Sequence, residues 1–212
     1  MRTLIAIPCM DMVHTIFMKA LLGLRTKDEI VFSIACSSLV YDARNNLCKQ
    51  AIRENFDKIL WLDSDMDFQP DILDKLSEDL SDEVDMVGAL YIKRKAPLDP
   101  VVYEKVGWYQ NEDKTEITPM AVPYVDYPKD QLFECDGIGF GGVLMKVELA
   151  KKIDDRFGLP FSPINGFGED LSFCARAKEV GSKIWCDSRV KMGHVGLGTV
   201  TEETYLQMRG QA

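Results

Sequence analysis

The sequence has no Cys-x-x-Cys pair, no long apolar run and no surplus of positive charge, and each absence removes a class of protein. Its six cysteines (Cys9, Cys36, Cys48, Cys135, Cys174 and Cys186) are dispersed. That scatter argues against a zinc cluster and predicts reduced, largely buried thiols. No stretch approaches the ~20 apolar residues of a spanning helix, so stable membrane insertion is not expected. The opening residues 1–8 read as one short apolar strand without a signal-peptide cleavage pattern. A cytoplasmic protein is the resulting expectation. Acidic residues outnumber basic ones, 34 to 25, for a formal net charge of -9. This opposes the lysine- and arginine-driven binding of phosphate backbones and mildly disfavours a nucleic-acid partner, though it leaves room for a local basic patch. Lys93, Arg94 and Lys95 make the densest basic patch, and it is small.

What is present suits a globular chain. With 212 residues and 46% hydrophobic content, one domain with a sizeable core is the economical reading over 1–212. Leu4 to Ile7 predicts a buried strand stopped by Pro8. Val13, Ile16, Phe17, Ala20, Leu21 and Leu24 fall at helical spacing and predict a helix over 11–25. Strands follow at 29–36, 58–62 and 84–90, with helices at 42–54 and 71–80. Alternating strand and helix indicate a Rossmann-like, mostly parallel sheet flanked by helices. From about residue 96 the pattern is mixed. Glu112, Asp113 and Lys114 suit a hairpin tip, and 137–146 reads as one glycine-rich strand entering a helix over 147–156. A loop over 157–168, a helix over 169–180, a final strand at 183–186 and a tail helix within 199–212 complete it. The expected division is an α/β first half, 1–95, and a mixed second half, 96–198.

Asp63-Ser64-Asp65 follows the predicted strand 58–62 directly. Side chains alternate along a strand, so both aspartates can share one side with Ser64 turned away. Ligands of open α/β sheets gather at the carboxyl ends of strands. Two hard carboxylates there can hold Mg²⁺ or Mn²⁺ together with substrate phosphate oxygens, offsetting charge on a departing diphosphate. A solvated turn that caps the next helix would use the same residues. His194, between glycines 193 and 196, could supply an imidazole beside Asp63 and Asp65 and complete a three-residue metal set. A loop histidine bonded to backbone is the alternative. His14 falls inside the first predicted helix.

Glu169 and Asp170 open a predicted helix, where capping and the helix dipole alone would favour acids. The functional alternative is a carboxylate that takes a proton from an acceptor hydroxyl. Glycines 137, 139, 141 and 142 lie in the strand-like run, marking either a bulge or close approach of backbone to a ligand. The run is neither a P-loop nor a dinucleotide fingerprint. Arg44 could pair through its planar fork with donor phosphates or with a carboxylate, or make a surface salt bridge.

Taken in order, these pieces resemble the nucleotide-sugar glycosyltransferases of the A-type fold, particularly the family-2-like group. The likeness rests on the strand ending at Pro8, Ala43-Arg44-Asn45, Leu62-Asp63-Ser64-Asp65, the glycine run into Lys146, Gly168-Glu169-Asp170-Leu171-Ser172-Phe173, and Ile184-Trp185-Cys186-Asp187 followed by Gly193-His194. It implies a single-domain α/β enzyme moving one sugar from a nucleoside diphosphate donor, UDP before GDP, with Mn²⁺ or Mg²⁺, its 1–95 half binding the nucleotide and its 96–198 half the acceptor and catalysis. Asp65 would bind the metal directly, Asp63 the ribose or the metal through water, and His194 would be the third ligand. The donor would meet the loop after Pro8, with Arg44, Ser64, Gly141 and Gly142 around it. Asp170 would be the general base of an inverting member and Glu169 an acceptor contact. The chain is short for the group and its tail lacks processive-synthase motifs, so polymer synthesis is not expected. Two rival readings are a nucleotidyltransferase, disfavoured by the absence of a basic glycine loop after the first strand, and a non-catalytic sugar-nucleotide-binding protein.

Overall fold

The structure, a computed structural model, describes residues 1–113, 115, 117–164, 166–196 and 199–210. Lys114 of the expected hairpin tip and residues 211–212 of the expected tail helix lie outside them. The first half runs β1 (Arg2–Cys9), α1 (Thr15–Leu22), β2 (Glu29–Cys36), α2 (Val40–Arg53), β3 (Lys58–Leu62), β4 (Met66–Asp67), α3 (Ile72–Asp79) and β5 (Met86–Leu90). The second half runs β6 (Val102–Gln110), β7 (Ile117–Pro123), β8 (Leu132–Cys135), β9 (Gly137–Ile138), β10 (Gly142–Lys146), α4 (Val147–Phe157), α5 (Glu169–Glu179), β11 (Ile184–Lys191), β12 (Gly193–Val195), β13 (Thr199–Val200) and α6 (Glu202–Met208).

The main sheet has the order β2-β1-β3-β10-β5-β11-β8. β2, β1 and β3 pair in parallel, as do β5 and β11, while β10 and β8 run against their neighbours. This is a mixed α/β fold with a large, mostly parallel sheet flanked by helices. Two apolar clusters explain why the strands read as unbroken hydrophobic runs: a strand covered on both faces buries both alternating sets of side chains. Leu4 and Ala6 of β1 join one cluster, with Leu47 and Ala51 of α2 and Phe173 of α5. Ile5 and Ile7 join the other, with Phe17 of α1 and Leu73 and Leu76 of α3. No helix among the described residues is long and apolar enough to cross a membrane.

Several sequence expectations need correction. The glycine run is not one strand: β9 pairs with β6 in a small sheet and β10 joins the main sheet, with the chain turning between them. Glycine permits that crowding, since a Cβ on Gly139 would sit 2.3 Å from the Tyr91 hydroxyl. The strand expected at 183–186 continues to Lys191 and is followed by β12 and β13. His14 is the N-cap of α1 rather than an interior residue. Its amide donates to the Ser64 carbonyl at 3.0 Å, which holds the chain extended until Thr15. Cys48, Cys135, Cys174 and Cys186 are buried as expected, whereas Cys9 is half-buried and Cys36 exposed.

Candidate active site

The chemistry-bearing side chains collect at the carboxyl end of β3. Asp63 leaves the strand with its amide bonded to the Gly141 carbonyl (3.2 Å), and Met66 closes a turn onto the Asp63 carbonyl. β12 then pairs antiparallel with β4, setting His194 opposite Met66, and the Val195 amide donates to the Asp65 carbonyl at 2.8 Å. Gly193 allows this approach, because a Cβ there would lie 2.5 Å from Thr199 and 3.4 Å from Asp67. A histidine far away in sequence is thereby delivered to Asp65, with His194 Nε2 3.6 Å from Asp65 Oδ2.

The tautomer of His194 follows from its other nitrogen. Nδ1 lies 3.0 Å from the Ile92 carbonyl oxygen, which can only accept, so Nδ1 carries a hydrogen. Nε2 faces the Asp65 carboxylate, so a protonated ring would donate to it and a neutral ring would turn a lone pair toward it. In the neutral case, two acceptors in that relation call for a positive charge between or beside them. Arg94 supplies one, its Nη1 bonding Asp65 Oδ2 and, at 3.2 Å, the Val195 carbonyl. Burial works against charge on Asp65, but the His194 ring and Arg94 outweigh it and hold its carboxyl below the usual range.

Asp63 is engaged elsewhere. Arg44, 2% exposed, donates from Nη2 to Asp63 Oδ1 at 2.8 Å and from Nε to Glu169 Oε1 at 3.3 Å. Its guanidinium also lies 5.5–5.8 Å from the ring centroids of Phe140, Trp61 and Phe161. Arg44 is therefore a buried hub rather than a surface ion pair. Burial disfavours its charge, yet Asp63, Glu169 and Asp170 together raise its pKa. Burial also pushes Asp63 upward, against the pull of Arg44. Among the described residues no three His, Cys, Asp or Glu side chains converge into a ready metal cage. The donor set fits a divalent ion in part: Asp65 and His194 face each other, with the imidazole oriented by a backbone carbonyl in the manner of metal-binding histidines.

Asp170 stands at the start of α5, where Gly168 is an extended N-cap. Its Oδ1 accepts from the Leu171 amide at 2.7 Å. Burial, then the neighbouring Glu169 charge, pushes its carboxyl up to about 6 against that bond and Arg44. Such a value leaves a carboxylate available near neutral pH with appreciable basicity. Gly141 and Gly142 are buried beneath other side chains. A Cβ on Gly141 would meet Tyr91 at 2.9 Å, and one on Gly142 would meet Met192 at 2.1 Å.

A cavity of about 220 Å³ joins part of this set: Pro8, Cys9, Met10, Ser37, Ser38, Val40, Arg44, Asp63, Ser64, Asp65 and Glu169 line it. A larger one, about 520 Å³, lies at the opposite end of β3 around Lys58, Ser77 and Lys146. There Lys58 is already satisfied by Asp28 at 2.6 Å and Ser77 at 2.9 Å. The smaller cavity is the candidate, because it occupies the strand ends where α/β sheets bind ligands. Sequence reasoning missed Arg94 as a partner of Asp65, although it sits in the densest basic patch of the sequence. It also missed Ser37 and Ser38, for which a bland loop offered no signal.

No protein-family model matches the sequence, and no curated protein does. Similarity appears among solved structures. A197 from STIV superposes with a TM-score of 0.67 at 21% identity, over 92% of this chain and 86% of that one. The crystal structure of GalNAc-T7 with UDP, GalNAc and Mn²⁺ superposes with a TM-score of 0.61 at 9% identity, over 92% of this chain and 44% of that one. At these identities the likeness is one of fold alone: the chain shares the α/β architecture of these structures and is similar to the A-type glycosyltransferase fold.

Proposed function

We propose that this chain is a metal-dependent glycosyltransferase that moves a single sugar from a nucleoside diphosphate donor, UDP-linked by preference, to an acceptor hydroxyl. The observation that carries the reading is the Asp65–His194 pair, with the His194 Nδ1 hydrogen fixed by Ile92 and Nε2 turned to the carboxylate. The neighbour of like fold that was solved with UDP, GalNAc and Mn²⁺ supports the donor and the metal.

Asp65 and His194 would hold Mn²⁺ or Mg²⁺. When bound, that ion would neutralise the diphosphate that leaves the sugar. Asp63, oriented by Arg44, borders the cavity and would receive the ribose or a metal-bound water. Pro8, Met10, Ser37 and Ser38 would receive the nucleoside. The cavity is small beside the ~300–1,000 Å³ of complete ligand sites, so the sugar would extend past its rim toward Glu169. Asp170, with its raised pKa, would take the proton of the acceptor hydroxyl, and Glu169 would orient that acceptor.

Calorimetric titration with UDP tests the reading. Binding is expected in Mn²⁺ and strongly weakened by EDTA, by Asp65→Ala and by His194→Ala, with folding intact by circular dichroism. UDP affinity indifferent to EDTA and to both substitutions would overturn it.

A further inference from the structure

Cys9 and Cys36 are the last residues of two adjacent strands, β1 and β2, which pair in parallel with these two residues directly in register. Their sulfurs lie 3.3 Å apart. Neighbouring strands are separated by roughly 4.8 Å, within the Cα spacing of about 4.4–6.8 Å that disulfides span. Pairing continues past the cysteines through the Ser37 amide on the Cys9 carbonyl at 3.1 Å, so the strand ends are held side by side. The remaining four cysteines are buried. Cys9 lines the 220 Å³ cavity, as do Ser37 and Ser38 directly after Cys36.

We propose that Cys9 and Cys36 form an oxidisable dithiol, a reversible disulfide site in the wall of this cavity. Nothing in the sheet need move far to close it, because the backbone already holds the two sulfurs in contact. The site stands whether or not the cavity binds a nucleotide sugar.

The oxidant is a low-molecular-weight disulfide such as oxidised glutathione. Cys36 is the exposed partner, while burial and the contact with Cys36 lift the Cys9 thiol to about 11. Cys36 is therefore the attacking thiol. Its thiolate attacks one glutathione sulfur, forming a mixed disulfide and releasing the first glutathione thiolate. Cys9 then attacks the Cys36 sulfur, expelling the second glutathione and forming the protein disulfide. The two protons lost by the cysteines are taken up by the two glutathione thiolates, so one glutathione disulfide is reduced for one protein disulfide formed. The bridge would tie β1 to β2 where they frame the cavity.

Mass spectrometry of the native protein treated with oxidised glutathione, quenched in acid, alkylated and digested without reduction, tests this. The expected result is a peptide linking Cys9 to Cys36, with two of the six cysteines protected from alkylation and recovered by dithiothreitol. In Cys36→Ser the linked peptide and that two-thiol loss should both vanish while the circular-dichroism spectrum is unchanged. A persistent glutathione adduct on Cys36 with Cys9 still alkylated would overturn the proposal, as would linkage of any other cysteine pair.

Discussion

Replacing Arg44 with leucine removes the positive centre that joins Asp63 to Glu169 beneath the candidate site. The guanidinium is 2% exposed, whereas the Asp63 and Glu169 side chains are 31% and 18% exposed. Deleting one partner of a buried ion pair costs about 3–5 kcal/mol, because the other charge is left uncompensated. Partial access of both carboxylates to water places this case at the lower end, near 3 kcal/mol. For a chain of this size each kcal/mol lowers the melting temperature by about 2–4 °C, so a fall of roughly 6–12 °C is expected. Thermal unfolding followed by circular dichroism at pH 7 reads it. A second arm separates electrostatics from lost packing. Without Arg44, Asp63, which burial already pushes upward, should hold its proton more tightly in the folded than in the unfolded state. Stability of the variant should then be regained as the pH falls and lost as it rises, so the gap to wild type narrows at pH 5. Loss below about 1 kcal/mol would refute the reasoning, as would a gap unchanged by acid, since a merely dented core has no such pH dependence.

Asp170, lifted from 3.8 to about 6, should give a transfer rate that rises with pH through about 6, and Asp170→Asn should remove that limb from the kcat/KM profile. Its stability effect has the opposite sign: the folded state keeps a proton that the unfolded state releases, so stability falls as pH rises from 3.8 to about 6, and Asp170→Asn should flatten that fall in a series of melts. Arg94→Ala should tighten Mn²⁺ binding to the free protein by up to about five-fold, the equivalent of an exposed ion pair of 0.2–1 kcal/mol no longer competing for Asp65; the paramagnetic signal of free Mn²⁺ measures it, and weaker binding would count against Arg94 as a competitor. Gly139→Ala should destabilise by about 1–3 kcal/mol through overpacking against the rigid Tyr91 ring and the β-branched Val101, and a denaturant titration that showed no change would contradict that account.

Sequence alone determined the order and type of most elements in the first half. Strands buried on both faces must be continuously apolar, and the helices between them carry apolar residues at helical spacing, so β1, β3, β5, α2 and α3 were legible. β2 was legible as a strand too, but as the sheet edge it leaves Phe32 and Ile34 exposed. Those short-range signals also set Asp63 and Asp65 at a strand end and Glu169 and Asp170 at a helix start. Tertiary structure decided the partners, since nothing within a few residues of Asp65 specifies a contact from distant His194 or Arg94. The pairing of β12 with β4 brings the histidine in, and the turn after Tyr91 brings the arginine. Arg44 likewise gave no sign of burial, because its charge is tolerated only where two carboxylates and three aromatic rings from other elements surround it. The glycine run misled because a fold in the chain and a ligand approach demand the same missing side chain, and only the positions of Tyr91 and Met192 show what fills the space. The cysteine pair was hidden for the same reason. Cys9 and Cys36 become neighbours through the parallel register of β1 and β2, a property of the sheet that neither strand carries by itself.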